Sequence, residues 1–193
     1  MKTTFFSLLL LFASASAGAG VVHFDDLPGG DGGPIAHGYQ GFAWDNLGVI
    51  GPGADGYAGS GFAAGAVSPA NVAYNRDGAT AAVSSMSGFN FVGAYFTSAW
   101  LEQELAFDGW RNGELLYSTS VSYLIDTATP RWIALGWSGI DTLTIYNSSG
   151  TQWAMDEVTV PEPGSLGLLG ACLASLALVR RRQGPHRSQP AGI

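Results

Sequence analysis

The sequence predicts an all-β body, a two-sheet antiparallel β-sandwich of jelly-roll type, with an amino-terminal signal helix before it and a short transmembrane helix after it. Three observations carry this. Glycine supplies 28 of 193 residues, about twice its usual share of roughly 7%, and aromatic residues are spread along the chain, a composition of short strands and tight turns. Away from the ends, no window holds a long helical stripe, whereas apolar and polar residues alternate with period two at short intervals. The two ends are instead continuous apolar runs flanked by basic residues.

Residues 1–19 read as a secretory signal: Lys2 supplies the positive start, Phe5 to Phe12 the apolar run, and Ala15, Ala17 and Ala19 the cleavage zone. The body, residues 20–160, follows with strands expected at Val21–Asp26, Gly61–Val67, Asn71–Asn75, Ala79–Ser84, Phe89–Thr97, Arg131–Trp137, Ile140–Asn147 and Thr151–Val160. Its clearest unit is a hairpin. Gln103, Leu105 and Phe107 alternate with Glu102, Glu104 and Asp108, Asn112-Gly113 supplies the positive-φ pair of a two-residue turn, and Leu115, Tyr117, Thr119, Val121, Tyr123 and Ile125 fall on one face of the return strand. Pro28 to Gly61, rich in glycine, is the most loop-like stretch and the expected place for a ligand to be met.

After the body, residues 161–182 hold Pro161-Glu162-Pro163, a charge-free run from Leu166 to Val179, and Arg180-Arg181-Arg182. At 1.5 Å per residue that run covers roughly 21 Å of a hydrocarbon core nearer 30 Å, a marginal span suited to a temporary anchor. The arginines should stay in the cytoplasm, which leaves the body on the exported side. A polar, basic tail over residues 183–193 completes the chain, and Cys172, inside the apolar run, is the single cysteine; internal disulfides and cysteine-based zinc clusters are thereby excluded.

Charge and motifs narrow the chemistry. Between Gly20 and Val160, fourteen acids face Arg76, Arg111 and Arg131, a net of −11, so nucleic acid is an unfavourable partner. No Gly-x-Ser-x-Gly turn, His-Glu-x-x-His helix or phosphate-cradling Gly-Lys-Ser/Thr loop is present. His23 is expected on a solvated strand face, and His37 lies in a loop. Glu102 and Glu104, roughly 7 Å apart on one strand face, would satisfy the minimum for a glycosidase, although such acid-rich faces ordinarily protect an edge.

Asp26 and Asp156 share parity with apolar residues of the first and last strands. If those strands are neighbours, the two carboxylates with backbone carbonyls could hold a structural calcium ion. Alternatively, both sit where water or backbone N–H groups satisfy them. Asp156→Asn is then expected to change the calcium-free protein little, or to stabilise it by removing a buried charge. Trp44 and Trp110 are the candidate platforms for a sugar ring, Trp110 because it shares a strand face with Glu104 and Asp108.

On Pro161-Glu162-Pro163, the apolar run and the arginine cluster, residues 160–182 resemble the PEP-CTERM proteins, bacterial exported proteins whose carboxy-terminal segment is recognised by the membrane enzyme exosortase. The tail beyond Arg182 departs from that pattern. The body is similar to secreted β-sandwich domains that often carry such tails, on Phe24-Asp25-Asp26-Leu27, Tyr39 to Trp44, Val67 to Asn75 and Met155-Asp156-Glu157. The resemblance implies a sandwich like those of carbohydrate-binding modules and supplies no reaction.

The expected protein is therefore exported by the Sec machinery across the inner membrane of a Gram-negative bacterium, held there transiently, processed by exosortase, and delivered to the envelope or extracellular matrix. Its expected role is non-enzymatic, structural or polysaccharide-associated; the alternatives are a lectin-like module with a defined sugar and a glycoside hydrolase.

Overall fold

The computed structural model describes residues 19–53, 56–161 and 175. The predicted signal helix and nearly all of the predicted transmembrane helix, with Glu162, Pro163, Cys172 and Arg180 to Arg182, lie outside the described residues, and no helix among those described is long and apolar enough to cross a membrane. Ala19–Pro161 forms one compact unit. It is built from β1 (Ala19–Val22), β2 (Gly33–Pro34), β3 (Ala43–Asp45), β4 (Leu47–Ile50), β5 (Val72–Asn75), β6 (Ala81–Ser98), β7 (Gln103–Arg111), β8 (Glu114–Ser118), β9 (Tyr123–Ile125), β10 (Arg131–Asn147) and β11 (Trp153–Pro161), with a short helix α1 (Gly61–Gly65) and a 3-10 turn at Tyr39–Gly41.

The strands pair antiparallel in the order β2-β4-β5-β11-β6-β10-β7-β8, with β1 on β11, β3 on β6 and β9 on β7. The all-β antiparallel prediction is borne out. Two long strands make the layers. The segments predicted separately at Ala79–Ser84 and Phe89–Thr97 are one strand, β6, and those at Arg131–Trp137 and Ile140–Asn147 are β10. Register shifts between Ala134 and Thr142 bend the β6–β10 pair, where Gly88, Gly136 and Gly139 adopt positive φ, a conformation that costs glycine little. Beyond the bend, β6 passes from its partner β3 to β11. The sheet thus folds over itself, and Phe96 of β6 meets Phe107 of β7 across the core at 5.5 Å while packing on Trp153 of its own layer at 5.7 Å.

The hairpin forms as its turn chemistry dictates: Asn112 and Gly113 have φ of 50° and 81°, matching the twist of the flanking strands. On β7, Gln103, Leu105 and Phe107 are buried. The return strand departs from expectation. It splits into β8 and β9, and a bulge between Gly109 and Trp110 shifts the register, so that Ile125 is buried whereas Leu115 and Val121 are exposed.

Gly61–Val67 forms a helix and its exit rather than a strand. Gly61 and Gly65, one helical turn apart, let α1 lie against β6: a Cβ on Gly61 would stand 1.6 Å from the Ser98 carbonyl oxygen, and one on Gly65 would stand 2.3 Å from Thr97 Oγ1. Apolar residues occupied both parities of this stretch because helix and sheet press on it, a pattern that alternation alone misreads. Phe62 of α1 closes a second, smaller core with Ile50, Val72, Ala99 and Ala154.

The first and last strands are neighbours, as expected: Ala19 to Val22 pair with Pro161 to Val158. The regular strand ends at Val22, however, so strand parity does not extend to Asp26, which is exposed within a turn closed by Leu27 N–H on the Phe24 carbonyl.

Candidate functional site

The motifs that carried the resemblance are stitched to one another. The Asn71 side-chain amide donates to the carbonyls of Phe24 (3.0 Å) and Leu27 (2.8 Å), while its backbone N–H donates to Asp25 Oδ1 at 3.0 Å. The Tyr39 hydroxyl lies 2.6 Å from Asp26 Oδ1, to which it donates, and burial together with that carboxylate holds the phenol well above its ordinary pKa. Asp156 Oδ2 accepts from Ser68 N–H at 2.8 Å, its Oδ1 accepts from Glu157 N–H at 2.7 Å, and the Ser68 hydroxyl is 3.1 Å from both oxygens. Asp156 is 0% exposed, and burial, more than these bonds offset, raises its pKa above the usual 3.8.

Asp26 and Asp156 therefore have separate protein partners, which is the alternative the sequence left open beside calcium. Among the described residues, no three His, Cys, Asp or Glu side chains gather where they could hold a metal ion. Parity misled at Asp156 as well: Glu157 adopts φ of 51° at an irregularity in β11, so Asp156 and Ala154 face the loop after α1 whereas Val158 joins Met155 in the main core.

Trp44 is not a platform. It is 3% exposed, packs edge-on to Phe24 at 5.5 Å and Phe42 at 5.8 Å, and donates its indole N–H to the Tyr39 carbonyl at 3.0 Å; a neighbouring Asp-Asn pair does not reveal which way a ring points. Trp110 is half-buried on the outer side of β7, as expected, near Asp108, whose carboxylate accepts from the Tyr146 hydroxyl at 3.1 Å. His23 is exposed, and the exposed His37 accepts Trp44 N–H on Nδ1 at 3.3 Å. Glu104 takes the Ser122 hydroxyl at 2.7 Å, while Glu102 lies just before β7 and faces a groove.

That groove, about 350 Å³ in volume, is lined by Glu102, Leu124, Asp126, Thr129, Pro130 and Arg131 among others. It opens at the end of the sandwich where β6 stops and β7 and β10 begin. Beside it in the chain stands Trp100, which sequence reasoning missed. The residue is 48% exposed, with Leu101 at 46%, yet its ring is held: the indole N–H donates to Gln152 Oε1 at 2.9 Å, Phe62 meets the ring edge-on at 5.5 Å, and Tyr57 lies 6.1 Å away. The turn carrying it is tied down by Ser98 N–H on the Asp126 carbonyl (2.8 Å), Gln103 Nε2 on Ser98 Oγ (2.6 Å), and the Ser98 hydroxyl on the Leu101 carbonyl.

In the groove, Asp126 accepts N–H bonds from Ala128 at 2.8 Å and Thr129 at 2.7 Å, which hold its carboxyl below the ordinary range. Arg131 donates to the Leu124 carbonyl at 2.6 Å and lies 5.5 Å over the Tyr123 ring. The fixed indole can stack a flat apolar surface, and the groove separately offers two carboxylates and the Thr129 hydroxyl. The signal for it in the sequence was only the Ala-Trp-Leu run between two polar stretches, which reads equally as core.

At the opposite end, β11 runs from Trp153, paired with Ser98, to Pro161, paired with Ala19. These ends are separated by roughly 26 Å at 3.3 Å per residue. Pro161, the first residue of Pro161-Glu162-Pro163, is thus itself a strand residue. No curated protein matches the chain. Residues 159–182 match the model of the PEP-CTERM protein-sorting motif, which starts inside β11 and covers the residues on which the resemblance was read. The chain therefore carries the PEP-CTERM sorting motif behind a β-rich exported domain, and that motif implies secretion, a transient carboxy-terminal membrane anchor and processing by exosortase.

Proposed function

We propose that the protein is a non-enzymatic component of the cell envelope or extracellular matrix that associates with polysaccharide. One observation carries this reading: the sorting motif leaves one end of the sandwich, and the fixed, half-exposed Trp100 stands at the other, where a groove lined by Glu102 and Asp126 also opens. Aromatic faces flanked by hydroxyls and carboxylates are a chemistry of sugar recognition.

The test is release. Matrix from producing cells, treated with periodate to cleave vicinal diols, should lose the protein to the supernatant, whereas protease-inhibited, untreated matrix should retain it. Equal retention after complete glycan cleavage would refute polysaccharide association. A hydrolase reading rests on Glu102 and Asp126 lining one groove; it predicts new reducing ends when the purified protein meets its polymer, and none are expected here. Processing has its own assay: Glu162→Ala should leave membrane insertion intact and block shortening of the precursor, since the apolar run and the arginine stop are untouched.

A further inference from the structure

We infer that the protein holds one uncharged sugar ring of its polysaccharide in the cleft between β10 and the segment that follows β8, against the rings of Trp137 and Tyr123. The inference rests on the polysaccharide reading above and adds to it a second site and a ligand class.

The cleft exists because the sheet parts there. β10 runs beside β7 only from Thr142 to Asn147. From Arg131 to Trp137 it pairs with β6 on one side, and among the described residues no strand pairs with it on the other. Every second residue of such a stretch turns its N–H and C=O away from the partner strand, and Ala134, Leu135 and Trp137 line the cleft. The facing wall is Ser118 to Val121, fixed at its middle: Thr119 N–H donates to the Phe107 carbonyl and Thr119 Oγ1 accepts Phe107 N–H, both at 3.0 Å. Trp137 is fixed as well. It stacks on Tyr117 at 5.4 Å and 14°, and it lies so close to Gly109 that a Cβ there would stand 2.9 Å from Trp137 Cε3. Both walls are therefore ordered before a ligand arrives, which lowers the entropic cost of binding.

Chemistry selects the ligand. One cleft of about 190 Å³ brings together two aromatic rings, Trp137 and Tyr123, and the hydroxyls of Ser118, Thr119 and Ser120, the pairing that a pyranose, apolar on its faces and hydroxylated at its rim, requires. No charged side chain lines it, in a body with fourteen acids against three arginines; Arg131, over the Tyr123 ring, is engaged by the Leu124 carbonyl. A charged sugar would surrender hydration here and gain no counter-charge, whereas an uncharged one gives up little. The volume lies below the roughly 300–1,000 Å³ of sites for larger ligands, so the cleft takes one ring, a chain end or a side branch, and is too small for an added peptide strand.

The experiment uses the purified protein with three uncharged hexamers, of glucose (cellohexaose), mannose and N-acetylglucosamine, and two charged ones, of guluronate and glucosamine. Titration calorimetry and tryptophan fluorescence follow binding, and thermal melts confirm that each variant is folded. An uncharged hexamer should bind at least about tenfold tighter than either charged one, equally at low and high salt, and the matching trisaccharide should bind about as tightly as the hexamer. Ser120→Tyr, at an exposed position where a larger side chain spares the fold and fills the cleft, should abolish binding, and Trp137→Leu should weaken it about tenfold. If a charged hexamer binds as tightly as the uncharged ones, the ligand class falls while the polysaccharide reading stands. If binding survives unchanged in folded Ser120→Tyr and Trp137→Leu, the sugar sits elsewhere and the inference falls alone. If no hexamer binds, the inference falls; the polysaccharide reading stands if periodate still releases the protein from its matrix, and falls with it if periodate does not.

Discussion

Replacing Asp156 by Asn tests whether the buried carboxylate is a cost or a clasp. In the folded protein one carboxylate oxygen accepts from Ser68 N–H and the other from Glu157 N–H, at 2.8 and 2.7 Å. An amide has one acceptor oxygen and one donor group, so whichever way the substituted side chain turned, one backbone N–H would face an NH₂. A buried donor left without an acceptor costs about 1–3 kcal/mol. For a unit of roughly 140 residues, unfolding entropy near 2.1 cal/mol/K per residue converts 2 kcal/mol into a fall of about 7 °C in Tm. Differential scanning calorimetry at pH 7 reads this directly. The pH dependence supplies a second check. Because burial raises the folded pKa of Asp156, its contribution to stability is fully present below the ordinary aspartate value and is lost as pH rises through the folded value. The stability gap between wild type and Asp156→Asn should therefore be widest in acid and narrow towards neutrality. A Tm within about 1 °C of wild type, or a gap that widens with pH, would refute the argument.

Other outcomes follow from the same contacts. Ser68→Ala keeps the backbone donor but loses the hydroxyl, and should cost about 1 kcal/mol by urea melt. Since Asp26 and Asp156 each have protein partners, Tm in 1 mM calcium and in chelator should agree within about 1 °C; a rise of several degrees, as mass action on a bound ion requires, would restore the calcium site. Trp44→Ala, which empties the aromatic cluster of Phe24, Tyr39 and Phe42, should destabilise the domain by about 3–5 kcal/mol in a denaturant titration, in contrast to a small loss for the half-exposed Trp110→Ala. Gly61→Ala places a methyl within 1.6 Å of the Ser98 carbonyl and should abolish soluble folded protein, or expel α1 from β6 with loss of amide-exchange protection at residue 61, whose N–H donates to the Ala99 carbonyl.

Some of this was legible because the causes are local. The Asn112-Gly113 turn needs two residues with positive φ, and only a few residue types adopt it; alternation on β7 records one wet and one dry face; the sorting segment is a linear address read in order. These properties are carried by neighbours in the chain. The places where sequence reasoning failed depend on what arrives from elsewhere. Gly61 and Gly65 were read as part of a strand because Ser98 and Thr97 of β6, for which they make room, lie more than thirty residues on. For Asp156 the sequence left calcium and backbone N–H partners open together, because Ser68, its clasp, is 88 residues away and the irregularity at Glu157 changes the side on which the strand carries its residues. Trp44 was misplaced and Trp100 missed for one reason: an indole has the same apolar content wherever it stands, and only the packing of Phe42 over one and the Gln152 tether beside the other decide which is core and which is half exposed.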